Sequence, residues 1–301
     1  MTSPPILPEI RRLAHQLRVT PGTRVVLPGH RDPGHTASYV HEADADTLLQ
    51  DGVRLLSHYQ ARLASQTTHG LLVVLQGLDT AGKDGAVKHV MSGVNPQGVF
   101  VRSFKVPTDE ELNHDFLWRY ERALPSRGTI GIFNRSHYEE VLVVRVHPEA
   151  LAREHIPDEA RGPGIWKRRF QAINDWEQRL VSSGVHVAKV FLHISRAEQR
   201  RRLLARIDDA EKNWKFSPAD LAERGFWKEY QHACSEALSA TGTESAPWHI
   251  VPADHKWFAR VAVAAVIVDA LARIDPQFPV LDAAAHAELA AARAQLTAEP
   301  G

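Results

Sequence analysis

The stretch Gly77-Leu78-Asp79-Thr80-Ala81-Gly82-Lys83-Asp84 limits what this chain can fold into more than any other feature. It reads G-x-x-x-x-G-K, a glycine-rich loop whose backbone can wrap a phosphate. Before it runs Gly70-Leu71-Leu72-Val73-Val74-Leu75-Gln76, a short apolar run that suits a strand buried on both faces. After it comes a helical pattern from Asp84 to Met91. A loop between buried strand and helix aims free N–H groups and the positive end of the helix dipole at an anion. Gly77, Thr80, Ala81, Gly82 and Lys83 are therefore expected around a phosphate, with the Lys83 ammonium acting as a point charge. Asp84 stands where the usual loop has Ser or Thr, and Asp79 lies within the loop. Two carboxylates beside a phosphate repel it unless a divalent cation intervenes. Asp79 and Asp84 are thus the expected ligands of Mg²⁺, or of Mn²⁺ in its place. Asp84 by itself could equally cap the helix.

Similar apolar runs recur at Val99 to Phe104, Thr129 to Phe133, Val187 to Ile194 and Trp248 to Val251, with helical patterns between them. Strands alternating with helices predict a parallel sheet covered by helices on both faces, an α/β fold. Residues 67–275 form this domain. Residues 1–66 read as an extension packed on it, containing one helix over Ala43 to Ala64, and residues 276–301 as a tail with a helix over Ala283 to Leu296. Thr108 with Glu111 and Ser195 with Glu198 fit capping boxes, and Ser217-Pro218 fits a cap followed by proline. After Thr108, the spacing of Leu112, Phe116, Tyr120 and Leu124 predicts one continuous helix, and Lys256 to Ile274 predicts another.

Acidic and basic residues balance at a net charge of zero, which removes a global electrostatic case for nucleic acid or membrane. Any anionic substrate must be held by local Lys and Arg clusters. No apolar run approaches the roughly 20 residues of a membrane span. Cys234 is the single cysteine, so no intrachain disulfide can form. With no basic-then-apolar pattern over Met1 to Pro8, the expected location is cytoplasmic. The seventeen histidines are scattered without metal-ligand spacing.

The loop with its Asp79, Asp84 and Gly85 resembles the Walker A segment of the polyphosphate kinase 2 family. The likeness extends through Val101-Arg102-Ser103-Phe104-Lys105-Val106-Pro107-Thr108, His114 to Arg119, and Phe133-Asn134-Arg135-Ser136-His137-Tyr138-Glu139. It continues through Arg202, Arg206 and Glu211 to Phe216, and ends at Pro252 to Arg260. Together these motifs cover residues 30–275. The resemblance implies Mg²⁺-dependent phosphoryl transfer between inorganic polyphosphate and a nucleotide (AMP, ADP or ATP). It also implies a P-loop kinase-like core, a mobile helical lid, at about 198–222, and a homo-oligomer. Many members carry Asp-Arg-Ser-Trp-Tyr-Asn at the second motif. The Asn134 to Glu139 variant resembles the subgroup acting on both nucleoside mono- and diphosphates, and a neutral Asn134 is a poorer metal ligand than a carboxylate.

The remaining candidates follow from position. Asn134 and Arg135 end an expected strand, where ligands bind in open α/β sheets. Arg135 is expected on a phosphate, with Asn134 and Glu139 toward the nucleotide; Glu139 and Glu140 could orient Mg²⁺ or acceptor. Arg202 and Arg206 share a helical face and are expected on the transferring group, while Arg200 and Arg201 read as a solvated basic face. Lys88, Lys105, Lys212 and Lys215 are candidates for the polyphosphate track, and Trp214 reads as ordinary core. Asp79, Lys83, Arg135, Arg202 and Arg206 form the expected catalytic set. An ATP-dependent nucleoside monophosphate kinase and a non-catalytic nucleotide-binding protein are the rival readings.

Overall fold

Strand β1, Gly70–Gly77, alternates its side chains between two cores. Leu71, Val73 and Leu75 join one buried cluster, while Leu72 and Val74 join the other. That alternation places a helical layer on each face of the sheet. A computed structural model describes residues 6–27, 29–39 and 42–299, with Asp44 and Lys215 described by backbone alone. The other strands are β2 (Val99–Ser103), β3 (Ile130–Asn134), β4 (Val185–His193) and β5 (Trp248–Pro252). They form a fully parallel sheet in the order β2-β3-β1-β4-β5. Each matches its expected apolar run to within about two residues at either end.

The helices are α1 (Leu7–Leu17), α2 (Glu42–Gln66), α3 (Lys83–Val90), α4 (Asp109–Leu112), α5 (Trp118–Glu121), α6 (Glu139–Val146) and α7 (Pro148–Ala152), then α8 (Ile165–Ser182), α9 (Arg196–Asp208), α10 (Pro218–Gly225), α11 (Trp227–Thr241), α12 (Lys256–Ile274) and α13 (Ala283–Ala298). On one face α12 packs on the sheet and against α1, α2 and α3. Its positions Val261 to Val268 are all buried, because it has neighbours all round. On the other face α6, α8 and α11 pack together. Among the described residues no helix is long and apolar enough to cross a membrane.

Residues before α2 do more than pad the domain. Helix α1, absent from the sequence expectation, buries Leu7, Ile10, Leu13, Ala14 and Leu17 along one side. The chain after it covers the outer edge of β5: Arg18 bridges His249, and the Val19 amide donates to the Trp248 carbonyl at 2.8 Å. An otherwise open sheet edge is thereby closed.

Three expectations fail. At Ser195 only half of the capping box forms, because the Ser195 amide donates to Asp254 and Glu198 turns to Arg201 and Arg202. The continuous helix after Thr108 is broken into α4 and α5, although the Thr108–Glu111 capping box forms. The Asp115 carboxylate accepts the Leu117 amide at 2.9 Å, a local bond that competes with helix continuation. Trp214, expected in the core, is 74% exposed, with its indole N–H donating to the Glu211 carbonyl. Helix α13 has no buried residue.

Candidate active site

The register sets the loop between neighbouring strand ends. Leu75 of β1 lies opposite Asn134 of β3, and Gly77 opposite Leu192 of β4. A Cβ on Gly77 would come within 2.8 Å of the Leu192 carbonyl oxygen, so only glycine lets the loop leave the sheet here. Gly82 enters α3 at φ 106°, in the left-handed region that glycine tolerates. Thr80 and Arg135 share φ 63° without being glycine. Such backbone costs about 1–2 kcal/mol per residue and collects at functional sites. The Thr80 hydroxyl is buried without a hydrogen-bond partner among the described residues.

Lys83 is 9% exposed and its ammonium donates to the carbonyls of Gly77 (2.6 Å) and Leu78 (3.2 Å). Burial lowers its pKa first, and the Arg135 charge adds to that; Asp79, Glu139 and Asp84 pull the other way. Arg135 bridges two acids, donating to Asp79 at 2.8 Å and lying 3.4 Å from Glu139. Gln76, the last inward residue of β1, donates to the other Glu139 oxygen at 2.8 Å. The Asn134 amide donates to Asp84 at 2.6 Å. The loop acids, the loop lysine and the β3-end motif therefore form one connected group. Beside it opens a cleft. Gln76, Asp79, Arg135, Glu139, Gln199 and Glu223 form its polar rim; Leu142, Phe191, Trp227 and Tyr230 form its apolar back.

Residues 136–138 tie the motif down from behind. Ser136, His137 and Tyr138 are fully buried. One Glu177 oxygen is within 3.1 Å of His137 Nε2 and accepts the Tyr138 hydroxyl at 2.9 Å; the other accepts Lys189 at 2.6 Å. Lys189 completes its three donors with Tyr138 Oη and the Thr241 carbonyl. A buried ion pair survives only with its hydrogen bonds filled in this way. Arg135 and Glu139 thus project from the two ends of a clamped segment.

Arg202 departs from its expected role. It is 6% exposed, and its five N–H groups are committed. They go to Glu198 (2.7 Å), Thr80 O (2.9 Å), Ala81 O (3.0 Å), Ala253 O and Asp254 O (3.0 Å). It buttresses the phosphate loop and has no donor left for a phosphoryl group. Arg206 lies 3.2 Å from Asp220, joining α9 to α10 across the segment expected as a lid. Glu140 is neither solvated nor on the cleft: it is buried against Arg119 (2.8 Å) and the Tyr120 hydroxyl (2.7 Å). Lys88 and Lys105 are exposed, as is Lys212, which pairs with Asp209. The Lys215 side chain lies outside the described residues.

Sequence reasoning passed over Gln199, Glu223, Trp227 and Tyr230. Gln199 donates to the Asp79 carbonyl at 3.2 Å, and Tyr230 donates to Glu223 at 2.7 Å. Only Gln76, a polar residue ending an apolar run, carries a sequence signal; the others come from helices remote along the chain.

Comparison with known proteins identifies the family. The model of the family described as polyphosphate kinase 2 matches residues 40–279. An ADP-polyphosphate phosphotransferase of Rhodopseudomonas palustris is 46% identical over 93% of this chain and 97% of its own. An AMP/ADP-polyphosphate phosphotransferase of Meiothermus ruber is 43% identical over 75% of this chain and 80% of its own. The crystal structure of polyphosphate kinase 2 from Arthrobacter aurescens superposes with a TM-score of 0.83 at 43% identity, covering 93% of this chain and 96% of that one. By family model, relatives and fold alike, the chain belongs to the polyphosphate kinase 2 family.

Proposed function

We propose that this enzyme transfers the terminal phosphate of inorganic polyphosphate to AMP and to ADP, reversibly, so that ATP is a product. The observation that carries the reading is the linkage of the loop to the β3-end motif: Asp79, Arg135 and Glu139 line one cleft, and Lys83 is bonded to the Gly77 and Leu78 carbonyls of the same wall. The names of the relatives from R. palustris and M. ruber supply polyphosphate as donor and disfavour an ATP-dependent monophosphate kinase. Phosphoryl transfer asks for alignment and charge neutralisation more than for covalent help. A terminal phosphate oxygen of the nucleotide attacks the end phosphorus of the chain in line. The P–O bond to the next phosphate breaks, leaving a chain one unit shorter, and no proton is needed. Lys83 leaves the loop carbonyls for the donor phosphates, and Arg135 turns from Asp79 to the equatorial oxygens. The apolar back of the cleft takes the nucleoside.

The donor set suits Mg²⁺. Asp79 and Asp84 each keep one carboxylate oxygen without a protein partner among the described residues. Mg²⁺ is commonly held by one or two carboxylates together with substrate phosphates. Bound there, Mg²⁺ supplies neutralisation of phosphate charge. Asn134, bonded to Asp84, orients that carboxylate rather than ligating the ion. Residues 198–222 act as the lid, with Arg206 released from Asp220 to reach the transferring group. A cytoplasmic homo-oligomer completes the reading.

Polyphosphate as sole donor, with AMP or ADP as acceptor, tests it: both ADP and ATP form from AMP, and Lys83→Ala abolishes both. Turnover of ADP alone limits the enzyme to diphosphates; turnover only when ATP is the donor refutes the proposal.

A further inference from the structure

Helix α9 carries five arginines, and the structure sorts them by what their donors already hold. Arg201 bonds Glu198 twice, at 2.6 Å each. Arg202 takes the remaining demand on Glu198 and four backbone carbonyls, and Arg206 takes Asp220. Arg196 and Arg200 are left. They are one helical turn apart, both exposed, and neither has an acidic partner among the described residues. A third guanidinium joins them from α10. Arg224, only partly exposed, donates through one nitrogen to the Arg196 carbonyl and to Gln199 Oε1, both at 2.9 Å. That leaves its other N–H groups uncommitted. Gln199 is 5% exposed and its amide reaches the Asp79 carbonyl of the phosphate loop at 3.2 Å. Three like charges therefore gather one side chain away from the loop.

Like charges a helical turn apart oppose each other. The pKa of Arg224 is lowered by burial first, then by Arg196 and Arg200, which registers the same crowding. An anion with charges spaced along its length relieves the crowding at every position at once; a single monoanion does not. Guanidinium groups pair bidentately with phosphate oxygens as they do with carboxylates, and the nearby phosphate loop makes a phosphate chain the anion at hand.

We propose that Arg196, Arg200 and Arg224 form an accessory polyanion subsite, which grips phosphates of the polyphosphate chain remote from the end being transferred. The proposal rests on the polyphosphate reading above and deepens it, because it makes donor length a property of the enzyme. Short donors end before the subsite; long ones reach it. The subsite lies on α9 and α10, so a long chain also braces the segment proposed as the lid.

The test compares Arg196→Ala/Arg200→Ala with the parent enzyme, forming ATP from ADP with either tripolyphosphate or long-chain polyphosphate. Taking roughly a threefold effect for each exposed contact, the KM for the long chain rises about tenfold relative to that for tripolyphosphate. The long-chain KM also loses part of its salt dependence, as expected when fewer charges meet a polyanion. Charge reversal, Arg196→Glu/Arg200→Glu, widens the gap further. An equal change in KM for both donors, or none for the long one, in an active enzyme overturns the subsite and leaves the function standing. A parent enzyme inert to polyphosphate removes both.

Discussion

Replacing Arg202 by alanine tests whether it acts on the loop or on the substrate. The side chain donates to one carboxylate and four carbonyls, two of them in the phosphate loop. Removing it leaves Glu198 with Arg201 alone and strips Thr80 O and Ala81 O of a charged donor. A charge-assisted hydrogen bond contributes about 1.5–3 kcal/mol, but carbonyls beside a new cavity recover part of that from water. About 3–5 kcal/mol of stability should be lost in all, the range seen when a buried charged partner is removed. Loosening Thr80 and Ala81 also displaces the phosphate-binding backbone, and a shift of about 1 Å there costs on the order of a hundredfold in kcat. Denaturant unfolding and steady-state kinetics on Arg202→Ala measure both. Arg202→Lys should recover little, since one ammonium has three donors where five are used. A variant with full stability and a kcat defect would mean that Arg202 works on the transferring group; a lysine variant of parental activity would sink the buttress argument outright.

Metal dependence should be absolute: excess chelator stops turnover and Mg²⁺ or Mn²⁺ restores it, while Asp79→Asn lowers kcat far more than it raises the polyphosphate KM. Full turnover in chelator refutes this. Acid should destabilise the fold through His249, which is 2% exposed and held by burial to a pKa of about 4, below its ordinary 6.5. The unfolded chain then takes the proton first, so this stability is intact above pH 6.5. It falls between pH 6.5 and 4 by up to about 1.4 kcal/mol per pH unit. Unfolding free energies of His249→Gln should show a shallower acid limb than the parent, and parallel limbs would remove His249 from the account.

The sheet is legible in the sequence because parallel strands buried on both faces leave an unbroken apolar run, and Leu71 to Leu75 is one. The loop is legible because its glycines meet backbone demands that no other residue satisfies, as at Gly77 against Leu192. Helix α1 is also written there, in the spacing of Leu7, Ile10, Leu13, Ala14 and Leu17, and reading the segment only for strands hides it. The break between α4 and α5 depends on whether Asp115 caps locally or lets the helix run on, a choice that helical periodicity does not carry. For the site, periodicity places Arg202 and Arg206 on one face but is silent on what faces them. The Arg202 partners Thr80 and Ala253 lie far away in the chain, so its saturation is a tertiary fact.

The same accounting explains how a chain with 36 basic and 36 acidic residues can handle a polyanion. Net charge describes the distant field, which is weak here, whereas a bound phosphate meets only the donors not already spent. Arg119 and Arg169 are committed to buried carboxylates and carbonyls behind the motif, and Lys189 is locked to Glu177. Arg202 is committed to the loop. These cations shape the site without facing it. Those that face it fall into two kinds. Lys83 and Arg135 hold exchangeable partners, loop carbonyls and loop acids, and can trade them for phosphate oxygens. Arg196, Arg200 and Arg224 crowd one another without a carboxylate and gain by meeting an anion. Exchange at the loop and relief of repulsion on α9 and α10 are different ways to bind phosphate. The first suits the group being transferred, where contacts must change during the reaction; the second suits a chain that only has to be held.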